Sequence, residues 1–300
     1  MKDTLYPDSD ADAADDGVRD DFPFRLRRVG EMIVTKIADS TTKRPFYEMD
    51  FEVVKRDMRV PNLPAAFEKY EIVHISDIHY GQWVSADRLN GVVAIINRCK
   101  PDLVAITGDF VSYSGRSIDE LGDILRKLRP NDATVAVLGN HDHWFGASRI
   151  RSILRRANVV VLDNDVLAIN RRGDATSAEA KLYVAGVDSV TAGKDRLEKV
   201  LQKLPDDGQA ILLCHEPDFA TISASTRRFI LQLSGHSHGG QFIIPSIGTP
   251  VRGKNFWRYP HGEYRVKNMV QYTNKGIGTN NFWVRINAKP EITVITLHAD

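Results

Sequence analysis

The 300-residue chain predicts an α/β fold with largely parallel strand pairing, on three observations. Six apolar runs, IVHIS, LVAIT, TVAVL, LYVAG, AILLC and FILQLS, are short and rich in Val, Ile or Leu, as strands buried on both faces are. Helical stretches separate several of them, and strands alternating with helices build a sheet between helical layers. The C-terminal third instead runs through EYRVKN, MVQYTN, FWVRINA and EITVITLHA, successive short strands that predict a second, partly antiparallel sheet.

In chain order, residues 1–21 are rich in Asp and Ala with almost no large apolar groups, so they cannot repay their ordering entropy and a disordered acidic tail is expected. Residues 22–70 form a lead-in. Phe22, Leu26, Val29, Ile33 and Ile37 recur at helical spacing among Arg25, Arg27, Arg28 and Lys36. This predicts a basic amphipathic helix over 22–38, either docked on the domain or lying on anionic lipid. FEVVKRDMRV alternates enough for a strand, and PNLPAAFEKY is a proline-punctuated connection into the main domain at 71–300. There the clearest helices are SADRLNGVVAIINRC, with Ser85 as N-cap, SIDELGDILRKL, GASRIRSILRRA and DRLEKVLQKL.

Composition bounds the class. Hydrophobic content of 42% and charged content of 26% are those of a soluble globular protein. No apolar run reaches the roughly 18 residues a membrane span needs, and no N-terminal apolar leader stands out. Cys99 and Cys214 are far apart in apolar surroundings, which argues against a disulfide framework and for a reducing compartment. The expected location is cytoplasmic, with any membrane contact peripheral and at the inner face. Residues 1–21 carry a net −6 and the remainder +7, so the body is mildly cationic, suiting an anionic substrate or a solvated basic face. That excess is modest for tracking a nucleic-acid backbone, and no nucleic-acid module is visible.

Metal-ligand residue types follow five of the apolar runs. IVHIS leads into Asp77-Ile78-His79, LVAIT into Gly108-Asp109, TVAVL into Gly139-Asn140-His141-Asp142, AILLC into His215, and FILQLS into Gly235-His236-Ser237-His238. Loops beyond the carboxyl ends of strands in an open α/β sheet converge, so these side chains are directed to one place. One such motif is weak, since a lone Asp-x-His can cap a helix, whereas five in order define a site. Carboxylates, imidazoles and one amide suit Mn, Fe, Zn or Mg better than a structural zinc cage. Asp77, His79, Asp109, Asn140, His215, His236 and His238 are too many for one tetrahedral ion and fit two ions about 3.5–4 Å apart, bridged by a carboxylate.

In that order, DIH, GDF, GNHD, the His of CHEP, and GHSH resemble the five motifs of the calcineurin-like metallophosphoesterase superfamily, from about Ile72 to the C-terminus. The resemblance implies a four-layer α/β/β/α sandwich of two mixed sheets and, for 71–300, a catalytic domain with two divalent metal ions, manganese first among the candidates. It assigns Asp77, His79, Asp109 and His238 to one ion and Asp109, Asn140, His215 and His236 to the other, with Asp109 as the bridge. The implied reaction is in-line attack on a phosphoester by a hydroxide shared between the ions. His141 is similar to the family's histidine that contacts phosphate and protonates the leaving group, and Asp142 either orients it or caps the following helix.

The segments VPNLPAAF, IPSIGTP after GHSHGGQ, GIGT and the terminal PEITVITL resemble a bacterial branch containing membrane-associated phosphoesterases and relatives of a UDP-diacylglucosamine pyrophosphatase. The substrate so implied is a phosphodiester or pyrophosphate, small, nucleotide-linked or lipid-linked. VRGKNFWRYPHGEYR mixes cations with aromatics, either a substrate loop or a hairpin packed on the domain edge. Arg252 and Arg258 within it, and Arg285 further on, are the candidates for phosphate binding. His143 and Trp144 either line the cleft or belong to the start of a helix, and His74, inside a strand, reads as a core histidine. A nuclease, a general phosphomonoesterase and a non-catalytic scaffold are the rival readings. A scaffold is expected to have lost ligands or the histidine after Asn140, and all are retained.

Overall fold

The computed structural model describes residues 45–81, 83–112, 118–172, 179–206, 210–250, 253–279 and 285–300. The acidic tail, the basic segment over 22–38, Arg252 and the first residues of FWVRINA lie outside the described residues.

Two mixed sheets of six strands each make up the body. The first runs in the order β1 (Glu52–Val60), β12 (Glu291–Ala299), β2 (Tyr70–Ile75), β3 (Leu103–Thr107), β4 (Ala133–Val137) and β5 (Val159–Val161). The second runs β10 (Gly262–Val266), β11 (Met269–Thr273), β9 (Phe229–Ser234), β8 (Ala210–Cys214), β7 (Glu179–Val187) and β6 (Asp165–Arg172). Pairing is parallel from β2 to β5 and from β7 through β9 to β11, and antiparallel at β12 with β2, β6 with β7 and β10 with β11.

Alternation along the strands explains the layering. Val73, Ile75, Val104 and Ile106 face α1 (Ala86–Cys99), α2 (Ile118–Leu125) and α4 (Ala147–Arg156) on the outside. Ile72, Leu103, Ala105 and Val135 face Val184, Ile211, Leu213, Leu231 and Leu233 of the second sheet. On its far side Ala185, Leu212 and Cys214 pack with Val200 of α5 (Leu197–Lys203) and Ala220 of α6 (Ala220–Ser223). Three separate apolar clusters therefore hold four layers together, because every central strand is apolar on both faces. Ser85 caps α1 as its sequence predicts, accepting a hydrogen bond from the Arg88 N–H. Both cysteines are free thiols.

The C-terminal strands are divided between the sheets, not gathered into a sheet of their own. β10 and β11 extend the second sheet, while β12 enters the first between β1 and β2. Ile292 and Val294 meet the helical side and Ile295 and Leu297 the inter-sheet side, so burial on both faces suits an internal position. FWVRINA forms no strand among its described residues. Ile286 makes a single bridge to Phe242, and Asn287 at φ 54° ends the extended run. Two strands among the described residues have no counterpart in the sequence reading: β5 is three residues long, and β6, an edge strand, mixes Asp, Asn and Arg into its alternation.

Ile211 is fully buried in the inter-sheet cluster at the start of β8. Ile211→Ala is expected to lower unfolding stability by about 2–5 kcal/mol, measured by urea denaturation. A loss below about 0.5 kcal/mol would show that the two sheets are not packed as described.

Candidate metal centre

All five motif loops converge at the carboxyl ends of β2, β3, β4, β8 and β9, and two groups of ligand-type side chains result. Asp77, His79 and His238 form one, Asp109, His215 and His236 the other, with the ligand atoms of each group within 4.8 Å of one another. In the first, His238 Nε2 is 3.3 Å from Asp77 Oδ1 and 3.1 Å from His79 Nε2. In the second, His215 Nε2 is 3.3 Å from Asp109 Oδ2 and 3.2 Å from His236 Nδ1. Asp109 Oδ2 also lies 3.6 Å from His79 Nε2, so one carboxylate oxygen faces both groups.

The backbone delivers these atoms at a conformational cost. Asp77, His79, Asp109, His236 and His238 all sit at positive φ, between 46° and 69°, a region L residues rarely adopt. Close backbone approach is what allows it. A Cβ on Gly235 would meet Ser76 Oγ at 1.8 Å and Asp77 Oδ2 at 2.3 Å, so only glycine lets the His236 turn reach the first sheet. There the His236 N–H donates to both oxygens of Asp77, at 3.2 and 3.0 Å.

Partners behind the site fix ring orientation. His215 Nδ1 donates to the Thr107 carbonyl at 2.7 Å, leaving Nε2 for the site. His79 Nδ1 is 2.5 Å from Ser112 Oγ. Asp142 is a cap and a tie: its carboxylate accepts from Gly139 N–H at 2.9 Å, at the start of α3 (Asn140–Phe145), and from Phe110 and Val111 N–H at 2.8 and 3.3 Å. Glu216 accepts from the Ser189 hydroxyl and from Val190 and Thr191 N–H, fixing the loop after β7. Ser112 and Glu216 escaped sequence reasoning. The Glu of CHEP was adjacent to a ligand candidate, but its loop partners are 25 to 27 residues away.

Charge is unevenly shared. Burial alone would raise the Asp109 carboxyl, but His215, His141 and His79 outweigh it and hold it well below the usual range. Asp77 is raised by burial, with Asp109 adding to the shift. Burial favours neutral imidazole at His79 and His238 and pushes both well down. At His215 burial is overcome by Asp109 and Asp77, and the ring is raised well above the ordinary value.

The remaining sequence candidates separate cleanly. His141 donates its N–H to Asp109 Oδ1 at 2.9 Å, and its ring meets His79 edge-on at 4.9 Å and Trp144 at 4.7 Å. His143 turns away to Asp188, at 2.7 Å, which also holds Arg151. Arg285 is half-buried and held by backbone carbonyls: Nη1 donates to those of Lys275 and Ala288, and Nη2 to those of Gly276 and Gly278 while lying 3.2 Å from His238 Nδ1. Arg258 is exposed, its N–H bonded to Asp218 beside those of Trp257 and Tyr259. His74 is a core residue, 2.9 Å from Thr107 Oγ1 and pushed down to about 3 by burial.

These residues fit divalent cations. The Asn140 amide oxygen is buried with no hydrogen-bond partner among the described residues, a cost that a metal ligand would relieve. The Nε2 atoms of His79 and His238 face each other at 3.1 Å, and burial favours in both rings the neutral form from which imidazole binds a cation.

A family model described as Calcineurin-like phosphoesterase matches residues 70–240. An uncharacterized metallophosphoesterase of Bacillus subtilis, YkuE, is 32% identical over 252 residues, covering 82% of this chain and 85% of its own. The Escherichia coli phosphodiesterase YaeI is 27% identical over 233 residues, 76% of this chain and 82% of its own. A Danio rerio transmembrane protein with metallophosphoesterase domain is 29% identical over 263 residues, 82% of this chain but 57% of its own.

Because Asp109 holds His215 protonated, cation binding must displace a proton. Affinity of the metal-free protein for Mn is therefore expected to rise with pH across neutrality. Calorimetry in two buffers of different ionisation heat is expected to register release of about one proton. Affinity independent of pH would contradict this.

Proposed function

The chain belongs to the calcineurin-like phosphoesterase family, and from that premise we propose that it is a hydrolase of phosphodiesters or pyrophosphates acting through two divalent cations, manganese foremost. One observation carries the reading: a single oxygen of Asp109 faces His79 at 3.6 Å and His215 at 3.3 Å, joining two ligand groups into one centre. Asp77, His79, Asp109 and His238 would hold one cation, and Asp109, Asn140, His215 and His236 the other. When bound, such cations lower the pKa of water and neutralise charge developing on the phosphoryl oxygens.

The chain's own groups supply position and protons. Thr107 and Ser112 fix the rings of His215 and His79, so each presents Nε2 toward the centre. The Asp109 carboxylate fixes the backbone of His141, which places that imidazole over His79 at the edge of the buried cluster. There it is suited to donate a proton to the leaving oxygen. Trp144 packs against it and narrows its orientation. The diester preference draws support from the name of the E. coli relative, whose likeness runs over most of both chains.

The test is to strip metal, restore Mn, Fe, Zn or Mg separately, and compare mono- and bis-p-nitrophenyl phosphate. Hydrolysis that is metal-dependent and faster on the diester is expected. His141→Ala is expected to lower kcat by about 10²–10⁴-fold with the circular dichroism spectrum unchanged, and Asp109→Asn at least as much. Near-wild-type turnover by the His141 variant would remove its role as proton donor, and turnover without metal would remove the mechanism.

A further inference from the structure

The end of the molecule that carries the metal centre also carries apolar side chains that hydrolysis does not use. Strand direction gathers them. β12 is antiparallel to β2 and parallel to β1, so β1 and β12 both begin where β2 ends, beside Asp77. The turn Glu48–Asp50 leads into β1, residues 285–290 lead into β12, and the hairpin of residues 243–248 follows His238.

These segments touch. The Ile243 side chain lies 3.7 Å from where a Gly239 Cβ would stand, next to His238. Ile243 N–H donates to the Ile286 carbonyl at 2.9 Å, and the Asn287 amide donates to the Ile243 carbonyl at 3.0 Å. Asn287 in turn shares a shallow depression with Met49, Phe51 and Lys289. Along this row Ile244 is 43% exposed, Ile247 72%, Ile286 50% and Met49 79%. On the opposite flank Trp257 is 63% exposed, and its neighbour Phe256 packs on His236. Scattered exposed apolar residues are ordinary, but a connected row at the mouth of a site is an interaction surface.

Charge decides what the surface fits. Lys289, Lys254 and Arg258 are exposed at this end. Several of its acids are occupied, Glu48 by Arg98, Asp50 by Arg88, Glu52 by Lys275 and Asp218 by three backbone N–H groups, while Asp87 and Glu263 are exposed. In the sequence, residues 22–38 carry Arg25, Arg27, Arg28 and Lys36 among apolar residues at helical spacing. Apolar tips with Lys289 beside Met49 on one flank and Lys254 and Arg258 beside Trp257 on the other match the boundary between headgroups and acyl chains.

We propose that this end docks on an anionic lipid bilayer, with Ile244, Ile247 and Met49 inserting and Lys289, Lys254 and Arg258 meeting headgroups. The metal centre then opens toward esters presented at the bilayer surface, a consequence that rests on the phosphodiesterase reading. The test is co-sedimentation of the full chain, in chelator, with vesicles of equal parts phosphatidylglycerol and phosphatidylcholine or of phosphatidylcholine alone. Wild type is expected to pellet with the anionic vesicles. The double variant Ile244→Asp, Ile247→Asp and the single variants Met49→Asp and Lys289→Glu are expected to weaken partition, the double variant by about tenfold or more. All are expected to retain hydrolysis of soluble bis-p-nitrophenyl phosphate with Mn, which shows them folded. Wild type left in the supernatant, or the double variant pelleting equally, would overturn docking. Lipid-free self-association that the double variant abolishes, seen by sedimentation velocity, would overturn it in favour of a second copy. Vesicle binding by a wild type that hydrolyses no diester would defeat the phosphodiesterase reading alone.

Discussion

The two sheets meet through an apolar layer, and the site exists because that layer stops where the strands do. Ile72, Leu103 and Val135 on one side press against Ile211, Leu231 and Leu233 on the other. Beyond the last apolar pair, the first sheet contributes Asp77, His79 and Asp109 and the second His215, His236 and His238. Neither sheet alone brings these groups together. The hydrogen bond from His215 to the Thr107 carbonyl and that from His236 N–H to Asp77 both cross the seam, so side-chain placement in one sheet depends on packing against the other. The hydrophobic contact is non-directional, and these two bonds supply the direction.

Five ligand-type residues held at positive φ represent stored strain, about 1 kcal/mol or more each for a side chain other than glycine. Such a backbone persists only where its surroundings over-determine it. Here Gly235 allows the second sheet to press on Ser76 and Asp77, Gly108 allows His215 to lie against the turn before Asp109, and Asp142 ties that turn to the next. The strain aims successive side chains of Asp77-Ile78-His79 and of His236-Ser237-His238 at one point. Relaxed extended strands would carry them past it.

Most of the site was legible in the sequence because strand-end chemistry is local: each motif sits directly after an apolar run, and order along the chain gave convergence. The α/β class followed equally from runs such as LVAIT and AILLC, whose continuous apolar character signals burial on both faces. What escaped was non-local. EITVITLHA reads as a strand from its residues, but its place between β1 and β2 depends on two partners more than 200 residues upstream. Arg285 looks like any cation near an anion site, yet its neighbours Lys275, Gly276, Gly278 and Ala288 enclose it with carbonyls. β6 carries polar residues because edge strands tolerate them, which erases the pattern that would reveal it.

Charge at the seam shows what the fold is prepared to receive. Two carboxylates and a row of imidazoles are buried together, an arrangement that desolvation penalises unless opposite charges are present. The protein meets this by giving His215 a proton and Asp109 a full charge, and by keeping His79 and His238 neutral. That internal compensation is partial. Asp77 is still raised by burial, and the Asn140 oxygen has no partner among the described residues. Both deficits are on acceptor oxygens, and both are relieved by positive charge rather than by a hydrogen-bond acceptor. A seam lined with neutral imidazole nitrogens, one shared carboxylate and an unsatisfied amide oxygen is therefore complementary to compact cations, and it is least stable when it holds none.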